Sequence, residues 1–443
     1  MTTWLRLNAS GACSPKGSAI CRGSAGQVDI GEGSMNGIEW PARPVVQAAL
    51  RTATHRLAEE LARPTGHAPD WDAFTWRAAM AVAVMHGVSA LLAARLGWQG
   101  PPTWQALLAD QADQGRRREA RVRALLHRLH GAAASAGVPL LGLKGSALLQ
   151  LGVTAPGQRP MSDIDLLVHP RDRMAADRFI QQLGYGRGIA GQRHIAYEPL
   201  HQPAERAFGE HADHPIKVEL HTAVAEPLPC RRVDITGDLG PPGAAAGLHG
   251  YRSPAALMRH LLLHTGGNLC TRSVRLVQLH DIAQLAAHLD RADWDEALAP
   301  TADGHPAWWA VPTLTLATRL FPGRWPALPA AAVQACPRWL RAASQRWTLA
   351  EVSLSHLGIP WLPGLQWSQG PADVMTLAWR RLVPPERALT AALVPRQHSL
   401  AGSPWTRLPT WRKALHCLRG APPRAQTVYS LHRALAYRPA SSA

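Results

Sequence analysis

Two carboxylates one residue apart sit inside an otherwise apolar segment, Asp163-Ile164-Asp165-Leu166-Leu167-Val168. The apolar members predict a buried strand, and in a strand residues i and i+2 share a face, roughly 6–7 Å apart along the chain. Two carboxylates at one end of a core strand repel each other and are costly to desolvate unless a cation lies between them. A fold that buries this segment must therefore bring positive charge to that spot. Magnesium suits the demand, being a hard ion that takes a few carboxylates and keeps positions open for phosphate oxygens. Glu219 repeats the pattern within Lys217-Val218-Glu219-Leu220-His221, on a strand predicted over 217–224. If the two strands are neighbours, at a spacing of ~4.8 Å, the three carboxylates come within reach of one another. Such a set can hold two metals ~3.5–4 Å apart, a pair that activates an attacking oxygen and neutralises a leaving one.

The residues around the doublet supply a complementary half. Val138-Pro139-Leu140-Leu141-Gly142-Leu143 predicts a short buried strand, broken by Lys144-Gly145-Ser146 before a short helix over 147–151. A strand end, a glycine that admits close approach and a helix N-terminus together outline a phosphate cradle. Lys144 adds a cation and Ser146 a hydroxyl. Ser162 adjoins the first aspartate, and Arg159, four residues before Asp163, offers a bidentate clamp. An amphipathic helix over 171–183 and a strand near 194–197 complete the pattern. Strand, helix, strand, helix and further strands predict a small α/β unit over 138–250.

Helical periodicity surrounds that unit. Helices are expected from about 45 to a stop at Pro64-Thr65-Gly66, over 71–96 (with Asp70 as N-cap) and 103–136, then from Ser253-Pro254 onward, over 255–263 and 274–289 and weakly to about 436. The fold class is thus α+β, a small mixed-sheet core between an N-terminal helical region (43–137) and a C-terminal one (251–443). Residues 1–42, rich in Gly, Ser and Ala, read as a disordered leader, and Met35 is a second candidate start. The net charge of +16 permits a polyanionic partner, and arginine carries nearly all of it, with four lysines in 443 residues. The basic run 115–123 reads as a solvated helix face. No apolar run reaches the ~18–20 residues of a membrane span, so no membrane span and a cytoplasmic location are expected. The six cysteines form no CxxC pair and read as reduced thiols. The seventeen tryptophans read mostly as packing anchors.

The order and wording of these motifs resemble the DNA polymerase beta-like nucleotidyltransferase superfamily, and within it the bacterial uncharacterised nucleotidyltransferase family. The resemblance rests on Gly142-Leu143-Lys144-Gly145-Ser146-Ala147-Leu148-Leu149, Arg159 to Val168, Leu183-Gly184-Tyr185 and Val218-Glu219-Leu220-His221, with His264 and Leu279-His280-Asp281-Ile282 downstream. It implies that Asp163 and Asp165 bind Mg2+, that Glu219 is the third carboxylate, and that Gly145 and Ser146 hold the triphosphate of ATP or another NTP. The implied activity is magnesium-dependent transfer of an NMP group from an NTP to an acceptor, with release of pyrophosphate. Two departures stand out: Lys144 occupies a position that is glycine in many relatives, and Asp163 lies seventeen positions after Ser146. The expected acceptor is a small molecule, peptide or protein in preference to RNA. A nucleotide-binding sensor or scaffold without catalysis, and an RNA-directed toxin-like transferase, are the alternatives. His221 shares a strand face with Glu219 and is expected to support it. His264 and Asp281 are placed on the acceptor side, Asp281 with an exposed helix position as its alternative. His260 and His264 at i, i+4 read as core or acceptor-side residues, and His201, His211 and His214 as a solvated loop.

Overall fold

The computed structural model describes residues 40–190, 194–201, 207–229, 231–240, 243–358, 364–382, 409, 411, 412, 415 and 424–439. The leader, save positions 40–42, and Met35 lie outside them. Helix α1 (Arg43–Ala62) buries Val46, Ala49, Leu50, Leu57 and Leu61, the residues whose spacing predicts it. The single helix expected over 71–96 is two, α2 (Ala73–Met85) and α3 (Ser89–Arg95), bent by 111°. Gly87, at φ +66, makes the bend, and a side chain there would collide with the Arg275 guanidinium. Asp72, not Asp70, caps α2, accepting from the Thr75 N–H at 2.7 Å. It immediately precedes the first helical residue, so its carboxylate reaches the third amide.

Helix α4 (Pro102–Ser135) carries the basic run. Arg116 and Arg117 are solvated, with side chains 60% and 66% exposed. Arg118 is 2% exposed, because helical spacing sets it in line with Gly115, Val122 and Leu125 on the buried face.

The centre is a six-stranded mixed sheet. Its elements in chain order are β1 (Pro139–Gly142), α5 (Gly145–Leu151), β2 (Asp163–Val168), α6 (Arg173–Gln182), β3 (Tyr185–Ala190), β4 (His194–Pro199), β5 (Lys217–His221) and β8 (Gly247–His249). The spatial order is β3-β4-β5-β2-β1-β8, parallel at β5–β2 and β1–β8 and antiparallel elsewhere. A separate hairpin, β6 (Ala225–Leu228) and β7 (Arg231–Asp234), follows β5. Thus the strand expected over 217–224 stops at His221 and a turn intervenes. Ile164, Leu166, Val168, Ile195, Tyr197, Val218 and Leu220 form one face of the sheet and pack on Val122, Leu125 and Leu129 of α4 and Phe179 and Ile180 of α6. Burying each such side chain contributes about 1.5–3 kcal/mol. That contribution fixes the phase of β2 and β5 and turns Asp163, Asp165, Glu219 and His221 to the other face.

Helix α7 (Pro254–Thr271) starts at Ser253, whose Oγ accepts from the Ala256 N–H at 3.0 Å. Then come α8 (Leu276–Ala286), α9 (Arg291–Ala297), α10 (Ala310–Leu320), α11 (Ala330–Ala335), α12 (Arg338–Ser344), α13 (Leu349–Val352), α14 (Pro371–Leu382) and α15 (Ala425–Ala436). Trp104, Trp309 and Trp367 are fully buried, consistent with packing roles, whereas Trp339, Trp379 and Trp411 are exposed. Among the described residues, no single helix is long and apolar enough to cross a membrane. Cys270 and Cys336 are buried, and the other four cysteines lie outside the described residues.

Candidate active site

Parallel pairing of β2 with β5 places Asp163 opposite Lys217, Asp165 opposite Glu219 and Leu167 opposite His221. Three carboxylates and an imidazole therefore share one patch of sheet. His221 Nε2 lies 3.0 Å from Asp165 Oδ1 and 3.7 Å from Glu219 Oε2. The Leu143 N–H donates to the Asp165 carbonyl at 2.9 Å, which brings the end of β1, and with it Lys144, to the same patch. Lys144 Nζ stands 3.0 Å from Asp165 Oδ2.

The charges of this patch are interdependent. Burial, then the neighbouring Asp165 charge, raises the Asp163 pKa despite Lys144. Burial pushes Asp165 the same way, but Lys144 and His221 prevail and hold it well below the usual carboxylate range. Burial would depress the Lys144 ammonium, yet Asp165, Asp163 and Glu219 together raise its pKa. Burial likewise opposes the charged form of His221, and its hydrogen bond to Asp165 and the nearby Glu219 carboxylate overcome that. The patch is a set of oxygens whose mutual repulsion is relieved by cations, and its hard oxygen donors fit a divalent ion.

Lys144 adopts φ +47, ψ −109, backbone that favours glycine. Such a conformation in a side-chain-bearing residue costs on the order of 1–3 kcal/mol and persists only where its surroundings enforce it. Here the Lys144 N–H donates to Tyr251 Oη at 3.1 Å, and Tyr251 Oη lies 2.6 Å from His260 Nδ1. Burial holds His260 neutral, its pKa well below the ordinary value, so the two groups share a hydrogen bond between neutral partners. Together with the Asp165 contact, this chain turns the Lys144 ammonium toward the carboxylates.

Gly145 and Ser146 open α5, which starts two residues before the helix expected over 147–151. A Cβ at Gly145 would collide with Arg159 Nη1, so the glycine allows the guanidinium to lie across the helix start. Ser146 is fully buried, and its Oγ has no hydrogen-bond partner. Ser162 is exposed beside Asp163. Arg159 Nε pairs with Asp281 Oδ2 at 2.9 Å, and Asp281 is 1% exposed. Asp281 is thus a buried anchor for Arg159, not an exposed helix residue. The loop between α5 and β2 is held from several sides: the Gly157 N–H donates to Glu119 Oε2 at 2.6 Å, and Arg118 Nε donates to the Met161 carbonyl at 2.8 Å. His264 stays on α7, its Nδ1 3.6 Å from Glu226 Oε1 and its Nε2 3.3 Å from Asn268 Nδ2. It stands beside the Glu226 carboxylate, within electrostatic reach of Lys144 and Asp165.

Four residues of this neighbourhood carry no individual signal in the sequence. His194 joins through the β4–β5 register, opposite His221, with Nε2 3.5 Å from Glu219 Oε2. Tyr251 braces Lys144. Arg275 and Glu210 line a cavity of about 460 Å3 beside Asp163, with Arg118, Ser162 and Phe208. Arg275 Nε donates to the Met85 carbonyl at 3.0 Å. The first turns of the cavity wall come from the α2–α3 bend and from α4, so N-terminal helices border the first aspartate.

A mixed sheet whose central parallel pair presents three carboxylates beside a Gly-Ser helix start defines a core of the nucleotidyltransferase type. The chain belongs to the uncharacterised nucleotidyltransferase family, whose model matches residues 72–322, more than half of its length. Among curated proteins and among solved structures, none matches. The matched span runs from the N-cap of α2 to just beyond α10, so the helices from α2 to α10 belong to the family's pattern as well as the sheet.

Proposed function

We propose that this protein moves an NMP group from an NTP to an acceptor and releases pyrophosphate, in a magnesium-dependent reaction. The observation that carries this reading is the convergence of Asp163, Asp165 and Glu219 on one face, with the Lys144 ammonium among them. Asp163 and Asp165 would hold Mg2+, with Glu219 completing a second position. When bound, such ions neutralise phosphate charge and polarise the reacting oxygens.

An acceptor oxygen or other nucleophile attacks the α-phosphorus. A bond from it to phosphorus forms, the bond from the α-phosphorus to the bridging oxygen breaks, and pyrophosphate leaves with that oxygen. Glu219, opposite Asp165 in register, takes the acceptor proton. Lys144, Ser146 and Arg159 face the triphosphate. Lys144 and Arg159 counter the charge that grows on the leaving group, which is the main electrostatic work of such a site. The buried, unbonded Ser146 hydroxyl has hydrogen-bonding capacity to offer there. The cavity beside Asp163 takes the acceptor, so the N-terminal helices and Arg275 select it.

The test uses one NTP labelled in turn at the α- and γ-phosphates, with Mg2+ and cell extract. Label from the α position is expected in an acceptor and label from the γ position in pyrophosphate. Transfer of the γ label to the acceptor would replace this reading with a kinase. Tight NTP binding with neither product would favour a nucleotide sensor.

A further inference from the structure

The carboxylate patch continues sideways into nitrogen ligands. His194 on β4 stands directly across from His221 on β5, and Ala196 across from Glu219, so both imidazoles and the Glu219 carboxylate lie on one face of two adjacent strands. One ligand atom from each of His194, Glu219 and His221 can be chosen so that all three lie within 4.8 Å of one another. Glu219 Oε2 is 3.5 Å from His194 Nε2 and 3.7 Å from His221 Nε2. Asp165 Oδ1 is a further 3.0 Å from His221 Nε2. Ligands bonded to one ion at ~2.0–2.2 Å are separated by about 3.0–3.5 Å, so these atoms need only small movements to share one. The rings are held by the pairing of β4 with β5, with centroids 5.0 Å apart.

Ligand chemistry separates this position from its neighbour. Asp163 and Asp165 offer oxygen alone, which suits Mg2+. Two imidazoles with a carboxylate favour divalent ions later in the first transition row, over which Mg2+ competes poorly. We propose that His194, Glu219 and His221 form a binding site for a divalent first-row transition ion, with Asp165 between it and the Mg2+ position. The two cation positions of this protein are therefore chemically unlike. The proposal uses the nucleotidyltransferase reading only to say which reaction the ion would serve; the binding is tested separately.

Untagged protein is stripped with chelator, dialysed and titrated with Co2+, which reports ligation through its visible absorption, and with Mg2+ by calorimetry. The wild type is expected to bind one Co2+ per chain with nitrogen ligation, at least about tenfold more tightly than Mg2+. His194→Ala and His221→Ala are each expected to weaken Co2+ binding by about tenfold or more. His194→Ala should leave Mg2+ binding at the Asp163/Asp165 position within about twofold, because His194 touches neither aspartate. His194→Gln, with circular dichroism as a check on folding, replaces any alanine variant that does not fold. Co2+ bound no more tightly than Mg2+, or unchanged by either histidine substitution, would overturn the proposal and leave His221 as a hydrogen-bonding bridge between carboxylates. Normal Co2+ binding without NMP transfer would sustain this site and count against the reaction.

Discussion

Asp163→Asn and Asp165→Asn are each expected to lower NMP transfer by about 10²–10³-fold, the effect of removing one group that stabilises charge in the transition state. Their effects on stability should have opposite signs. Burial and the Asp165 charge raise the Asp163 pKa, so its ionisation opposes folding at neutral pH, and the neutral amide relieves that opposition. Asp163→Asn should therefore unfold at equal or higher urea concentration than the wild type. Asp165 has a depressed pKa, sustained by Lys144 and His221 against burial. It contributes stability above the unfolded-state value of ~3.9 that is lost as pH falls through the folded value. Asp165→Asn should unfold at lower urea at pH 7, with the deficit shrinking in acid. Urea unfolding alongside the labelled-NTP assay checks both. Transfer within tenfold of wild type in either variant would reject the catalytic assignment. Destabilisation by Asp163→Asn would reject the account of repulsion.

Arg118→Met is expected to give the largest loss of stability, about 3–5 kcal/mol, the range for removing one partner of a buried ion pair. Methionine preserves the apolar stem, so the measurement isolates the guanidinium. That group donates to the carbonyls of Met161 at 2.8 Å, His214 at 2.6 Å and Pro215 at 3.2 Å, and pairs with Glu210. It therefore joins α4 to the residues just before β2 and β5, the two strands that carry the carboxylates. Without it, Glu210 loses its charge partner in a setting where burial already raises its pKa, and the carbonyls that the guanidinium serves lose a donor. Urea unfolding of Arg118→Met and of Arg118→Met with Glu210→Gln separates the two parts. The double variant should recover some of the loss but not all. A loss under about 1 kcal/mol in the single variant would mean that solvent replaces these bonds, as at exposed pairs.

Most of the site was legible because it follows the two-residue period of a strand. Asp163 and Asp165 alternate with Ile164 and Leu166, and Glu219 and His221 with Val218 and Leu220, so burying one set turns the other to the opposite face. The phase of each strand is local information. Register is not, and His194 enters the site only through the pairing of β4 with β5. Strand β3 was not legible because Gly186, Arg187 and Gly188 interrupt any alternation, and β8 because three residues carry no period. The helices were legible in place and less so in extent: Gly87 divides one expected helix, and Pro254 starts another that runs through Thr271. Arg118 looked like part of a solvated basic face because charge along a helix says little about what docks against it. The Arg159–Asp281 pair, 122 residues apart in sequence, is a tertiary contact that no local pattern announces.

The central claim is that Asp163, Asp165 and Glu219 recruit a divalent cation to a nucleoside triphosphate. Its most direct test is the affinity for a non-hydrolysable ATP analogue, measured by calorimetry with and without Mg2+, in the wild type and in Asp163→Asn with Asp165→Asn. The wild type should bind at least about tenfold more tightly with Mg2+, and the double variant should bind equally with and without it. Equal affinity in the wild type under both conditions, or an undiminished Mg2+ effect in the double variant, would contradict the claim.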